Sequence, residues 1–243
     1  MKTAKVHSIQ TMGTLDGPGI RYVLFLQGCP FRCLFCHNPD TQKVKEDVSQ
    51  KTVEELVKDV LKYKSFYDNS GGGVTVSGGE PLLQIPFLTE FFKQLKKHNV
   101  STALDTCGHT VINDKLNELL KYTDLILLDI KHLDNEKHKI LTGQENQKVM
   151  KFLEHINSLK KRIWIRQVLT PGYTTDDEYI DNLIRFLKKY DIEKVELLPY
   201  HDMARSKYEK LGMEYPLGDT PTPSKEDVEK IRHQFKDNNF CVV

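Results

Sequence analysis

Cys29, Cys33 and Cys36 stand at C-x3-C-x2-C spacing, and no further cysteine follows before Cys107. Three thiolates can hold three corners of a cubic iron–sulfur cluster and leave the fourth iron without a protein ligand. An open iron can bind a substrate or cofactor, whereas a closed site relays electrons or supports structure. The alternative chemistry is a Cys₃His zinc site completed by His37. Its spacing is poor, because His37 directly follows Cys36 and paired zinc ligands normally sit two or more residues apart.

Such residues need a scaffold, and the chain alternates strand-like and helical runs. Apolar, β-rich runs lie at 22–26, 73–77, 102–106, 125–130, 162–168 and 194–198. Helical periodicity marks 52–63, 87–97, 113–122, 134–141, 148–160, 176–190 and 224–236. This alternation predicts βα units, right-handed crossovers and a parallel sheet. Six strands are too few for a complete eight-stranded barrel. The expected fold is therefore α/β: a partial, open TIM-like (β/α) barrel of about six repeats. No internal repeat, low-complexity tract or linker divides the 243 residues, so one domain over 1–243 is expected.

In barrel-like α/β folds, chemistry gathers at the carboxyl ends of the strands. The cysteines follow the first expected strand, and Ser77-Gly78-Gly79-Glu80-Pro81 follows the second. Asp105 and Thr106 end the third, and Asp129, Ile130 and Lys131 end the fourth. The fifth carries Arg166, and the sixth runs into Tyr200 and His201. Each has an ordinary reading: Asp105 and Asp129 as helix caps, Lys131 and Arg166 as their ion-pair partners, the glycine pair as a turn. Convergence on one rim is what points to a ligand. Glu80, Asp105, Asp129, Lys131 and Arg166 offer acceptors for an ammonium and cations for a carboxylate. Phe35 or His201 would suit an adenine. S-adenosylmethionine contains all these parts, and its amino and carboxylate groups can chelate an open iron.

Composition narrows the partners. With 35 Lys and Arg against 34 Asp and Glu, the chain lacks the basic excess of a nucleic-acid protein. No run approaches 18 apolar residues, so no membrane span is expected. The N-terminal stretch has no apolar segment of leader type. A cytoplasmic location is expected, where clustered cysteines signify metal or catalysis more often than disulfides. The isolated Cys107 and Cys241 are expected to be buried small hydrophobes.

Cys29, Cys33 and Cys36 together with Gly78-Gly79-Glu80 resemble the radical S-adenosylmethionine superfamily. The run Gly13-Thr14-Leu15-Asp16-Gly17-Pro18-Gly19-Ile20-Arg21 is similar to the segment that opens glycyl-radical-enzyme activases. Residues 33–39, 70–81, 128–131, 164–166 and the ELLPYH run at 196–201 extend the resemblance over nearly the whole chain, to the formate-lyase branch.

The resemblance implies one 4Fe-4S cluster on Cys29, Cys33 and Cys36, with S-adenosylmethionine on the unique iron. It implies cofactor contacts from Phe35, Cys36, His37, Gly79, Asp129, Ile130, Lys131 and His201, with Arg166 on the same rim. Asp105 would lie near the methionine end, with a possible monovalent cation. The reduced cluster would cleave the sulfonium to methionine and a 5′-deoxyadenosyl radical. Under anaerobic conditions that radical would take a hydrogen atom from a backbone glycine of pyruvate formate-lyase. Asp16 and His37 would touch the glycine loop of that partner, and no side chain would act as general acid or base. A flavodoxin or ferredoxin donor and a monomeric enzyme are further expectations. Alternatives are another glycyl radical enzyme as partner, a small-molecule substrate, or a zinc-stabilised binding module. The absence of cysteine between Cys36 and Gly78 argues against branches that insert a cysteine-rich segment there. The stretch 134–147 is polar and carries no motif.

Overall fold

Apolar runs with no polar face become strands covered on both sides. The computed structural model describes residues 2–44 and 46–243; Met1, the start of the polar N-terminal stretch, and Lys45 lie outside the described residues. Along the chain come β1 (Thr3–Gly13), β2 (Arg21–Leu26), β3 (Ser49–Thr52), α1 (Val53–Leu61), α2 (Lys64–Ser70), β4 (Gly73–Gly78) and α3 (Ile85–Lys97). They are followed by β5 (Ser101–Thr106), α4 (Asp114–Lys121), β6 (Leu125–Asp129), α5 (Asn135–Thr142), α6 (Gln147–Ser158) and β7 (Arg162–Leu169). The chain closes with α7 (Asp177–Leu187), β8 (Lys194–Pro199), α8 (Arg205–Lys210) and α9 (Lys225–Asp237). The strand order is β3-β1-β2-β4-β5-β6-β7-β8, and the sheet does not close.

The six expected strands are β2 and β4 to β8, each within one residue at either end. Two strands are additional. β1 carries the polar pairs His7-Ser8 and Gln10-Thr11 and buries only Ala4, Val6 and Gly13, so its sequence has no apolar run. Its place is set by antiparallel pairing, with Val6 opposite Leu26 and Gly13 opposite Arg21. β3 pairs antiparallel with its other side. The strand preceding the cysteines is thus the second, and Asp16 lies in the connection from β1 to β2.

Two compact units divide the chain: residues 2–30 with Thr41–Leu127, and Phe31–Asp40 with Leu128–Val243. In the first unit β2 and β4 pair in parallel, from Arg21 beside Gly73 to Leu26 beside Gly78. Their level ends bring the segment after Leu26 alongside the Gly-Gly-Glu turn. The sheet core is Tyr22, Val23, Leu24, Val74, Val76 and Leu104, all fully buried. α3 covers it with Leu88, Phe91, Phe92 and Leu95, positions spaced for one helical face.

In the second unit β7 and β8 pair in parallel, with Arg166 beside Glu196. α7 buries Ile180, Leu183 and Leu187 on one stripe. The tail binds the outer side of β8: Val195 N–H donates to the Cys241 carbonyl at 2.8 Å and Leu197 N–H to that of Val243 at 3.1 Å. A strand edge is thereby covered. Cys241 is exposed there, which corrects the expectation that it is buried.

Candidate active site

The first unit supplies Asp16, Cys29, Gly79 and Asp105. Backbone hydrogen bonds fix the approach to Cys29. Gly28 N–H donates to the Thr41 carbonyl at 2.7 Å, and Cys29 N–H to that of Gln42 at 3.2 Å. Glu80 N–H donates to the Gly28 carbonyl at 2.7 Å. Gly79 lies so close that a Cβ would stand 2.1 Å from the Gly28 carbonyl oxygen and 2.7 Å from its carbon. Both atoms are backbone, so Gly79→Ala must displace the residue before Cys29. We expect it to cost about 1–3 kcal/mol and to lower iron uptake on reconstitution; thermal unfolding and iron analysis check both.

Glu80 does not offer its carboxylate to a ligand, contrary to the sequence reading. It is fully buried. Its Oε1 accepts from Thr106 Oγ1 at 2.6 Å and Leu82 N–H at 2.9 Å, and its Oε2 from Cys107 N–H at 2.8 Å. Burial pushes its pKa up while these donors pull it back. Cys107 is buried as expected, and burial and then the Glu80 charge hold its thiol well above the ordinary range.

Asp105 caps no helix; its Oδ2 accepts from Ser77 Oγ at 2.6 Å. The Asp16 carbonyl accepts from Thr75 Oγ1 at 2.6 Å. Thr75 in turn accepts from the buried Arg21 Nε at 2.9 Å. A guanidinium inside the fold thus pins the β1–β2 connection.

The second unit supplies Cys33, Phe35, Cys36, His37, Asp129, Ile130, Lys131, Arg166 and His201. Its cysteine segment is cradled by the stretch that carries no motif. Arg32 N–H donates to the Thr142 carbonyl at 2.7 Å and Leu34 N–H to that of Leu141 at 2.9 Å. Gly143, with φ 75°, ends α5 in the left-handed conformation that glycine favours. Cys36 N–H donates to the Cys33 carbonyl at 3.1 Å, closing a turn between the two thiols.

Phe35 is buried, with Lys131 Nζ 5.2 Å from its ring centroid. Lys131 also pairs with Asp129 at 3.0 Å, the ion pair weighed from sequence. Ile130 is fully buried and its N–H donates to the Arg166 carbonyl at 3.1 Å. Arg166 pairs with Glu196 at 2.9 Å, a partner across β7 and β8. The His37 and His201 rings lie 4.2 Å apart, and His37 Nε2 donates to the His201 carbonyl at 3.2 Å. Lys207, unread from sequence, donates to the His37 carbonyl at 2.9 Å and to Asn38 Oδ1 at 2.8 Å. α8 gave no signal because six polar-rich residues show no usable periodicity.

His132 anchors the segment after β6. Its ring stacks on Tyr179 at 4.5 Å, and its Nδ1 accepts from Asp134 N–H at 3.0 Å. Burial, then Lys137, lowers its pKa from 6.5. Because the folded value lies below the unfolded one, the stability it contributes is intact above pH 6.5 and lost as pH falls through the folded value. We expect thermal stability to drop on acidification from about pH 7 to about pH 5, and His132→Gln to flatten part of that drop. An unchanged slope in the variant contradicts this.

The donor set suits a cluster. Cys29, Cys33 and Cys36 are half-buried thiols. Among the described residues no three His, Cys, Asp or Glu are gathered to hold one metal ion. The thiolates of a cubic cluster each bind a different iron, so a cluster does not require that gathering. His201 Nδ1 is buried with no hydrogen-bond partner among the described residues, a polar atom available to a ligand.

Comparison with known proteins agrees with this chemistry. A family model described as the radical SAM superfamily matches residues 23–187. The pyruvate formate-lyase-activating enzyme of Staphylococcus epidermidis (strain ATCC 12228 / FDA PCI 1200) is 48% identical over 246 residues, covering 99% of this chain and 97% of that protein. The enzyme of the same name from Staphylococcus aureus (strain USA300) matches to the same extent. Among solved structures, a domain of a pyruvate-formate lyase-activating enzyme from Bacteroides vulgatus ATCC 8482 superposes with a TM-score of 0.60 at 25% identity, covering 71% of this chain and 98% of that one. Streptococcus suis SuiB bound to precursor peptide SuiA shares the fold, with a TM-score of 0.71 at 20% identity over 94% of this chain and 49% of that one.

Proposed function

The chain belongs to the radical SAM superfamily and, within it, to the pyruvate formate-lyase-activating enzymes, and from that membership we propose that it installs a glycyl radical on pyruvate formate-lyase. When bound, the 4Fe-4S cluster supplies the electron that cleaves S-adenosylmethionine to methionine and a 5′-deoxyadenosyl radical, which takes a hydrogen atom from a glycine of the lyase. The observation that carries the reading is 48% identity over nearly the full length to enzymes of that name, joined to three cysteines at C-x3-C-x2-C spacing.

In this reading Cys29, Cys33 and Cys36 hold the cluster. Asp129, Ile130, Lys131 and Arg166 orient the amino-acid end of the cofactor, and Phe35, His37 and His201 its adenosine. Gly79 lets the backbone approach it closely. Asp105 serves the methionine end, with a monovalent cation beside it. Asp16 and His37 receive the lyase's glycine loop. No side chain moves a proton, because hydrogen-atom transfer needs neither acid nor base. The chain acts as one domain over 1–243 and as a monomer in the cytoplasm, with a flavodoxin or ferredoxin as donor. Among the described residues no helix is long and apolar enough to cross a membrane.

The test uses lyase labelled with deuterium at the α-carbon of glycine. Reduced, cluster-loaded protein and S-adenosylmethionine should yield 5′-deoxyadenosine carrying deuterium, read by mass spectrometry. Unlabelled 5′-deoxyadenosine in every turnover defeats the reading.

A further inference from the structure

Tyr208 is buried in α8, yet its hydroxyl has no hydrogen-bond partner among the described residues. Its neighbours in the same apolar cluster are satisfied: the Tyr200 and Tyr215 hydroxyls bond each other at 2.9 Å. The Tyr208 ring stands edge-on to Tyr215 at 5.2 Å, within a group that includes Phe35 and against which Cys33 packs. A buried unpartnered donor needs an explanation, and an absent ion or group is one of the few available. The surroundings say which. Phe35 belongs to the same group as Tyr208, and Cys33 and Leu34 pack against it, so the unpartnered hydroxyl belongs to the layer that backs the cysteine segment. The helix is also held in place, because the adjacent Lys207 donates to the His37 carbonyl and Asn38 Oδ1, just past Cys36.

We propose that Tyr208 is a positioning residue for the cluster, donating its hydroxyl hydrogen to a sulfur of the cluster bound by Cys33 and Cys36 and thereby raising its reduction potential. The inference rests on the ligand assignment made under the proposed function. Its sign follows from charge: a one-electron reduction makes the cluster more negative, so a donor to sulfur stabilises the reduced form more than the oxidised one. Second-shell donors of this kind are how proteins set cluster potentials.

The experiment compares full-length, anaerobically reconstituted wild type, Tyr208→Phe and Tyr215→Phe. Iron and sulfide are assayed, and the cluster is titrated against potential by electron paramagnetic resonance. Tyr208→Phe should keep its iron and sulfide, with its potential moved negative by about tenfold in the reduction equilibrium, about 59 mV for one electron. Tyr215→Phe, which removes a hydroxyl already bonded to Tyr200, should leave the potential unchanged. An unmoved potential in Tyr208→Phe, loss of its cluster, or an equal shift in Tyr215→Phe overturns the inference. Failure of the wild type to take up iron and sulfide would instead overturn the ligand assignment beneath it.

Discussion

Cys33→Ala should give a folded protein that assembles no 4Fe-4S cluster and leaves pyruvate formate-lyase without a radical. Cys33 is half-exposed, and its carbonyl accepts from Cys36 N–H at 3.1 Å. Alanine keeps that carbonyl, so the turn survives while the thiolate is lost. Two thiolates cannot hold a cube from which one corner is already left open for the cofactor. The readouts are iron and sulfide content, the signal of the reduced cluster and radical formation on the lyase. Cys241→Ala, at the exposed tail, is the control and should behave as wild type. Full activity in Cys33→Ala would remove the ligand assignment.

Glu80→Ala should be the most destabilising substitution among the residues of the Gly-Gly-Glu turn. The carboxylate ends three hydrogen bonds, from Thr106 Oγ1, Leu82 N–H and Cys107 N–H, at a site with no solvent exposure. Each buried donor left unpaired costs about 1–3 kcal/mol. With partial relaxation the sum is roughly 3–5 kcal/mol, a large share of a typical domain's stability. Glu80→Gln should lose less, because its amide oxygen can replace Oε1 and only the Cys107 N–H then faces another donor. Denaturant unfolding of the two variants should rank wild type above Gln above Ala. Equal stability of all three would mean that the buried carboxylate does not hold the turn.

The strands were legible because their signal is local. The run at 125–128 is apolar on both faces, the pattern of a covered strand, and Ile163, Trp164 and Ile165 give 162–169 a shorter stretch of the same kind. The cysteines were legible because their spacing is itself the chemistry. β1 was not legible, since the polar pairs His7-Ser8 and Gln10-Thr11 break its alternation and its pairing is imposed by β2 and β3. The cradle at Leu141 and Thr142 works through backbone carbonyls, which every residue type carries. Glu80 misled for a related reason. A carboxylate at a strand end reads as an exposed acceptor until Thr106 and Cys107, 26 and 27 residues away, are found bonded to it. Tyr208 and Lys207 lie on a helix too short to announce itself, beyond any motif that the cysteines define.

The central claim is that this chain spends its open iron on a radical delivered to a partner's backbone. Reconstituted, reduced protein is mixed with S-adenosylmethionine and pyruvate formate-lyase without oxygen, and electron paramagnetic resonance is recorded. The account predicts a doublet glycyl radical on the lyase that requires both the cofactor and Cys33. Robust cleavage of S-adenosylmethionine with no such doublet would contradict it.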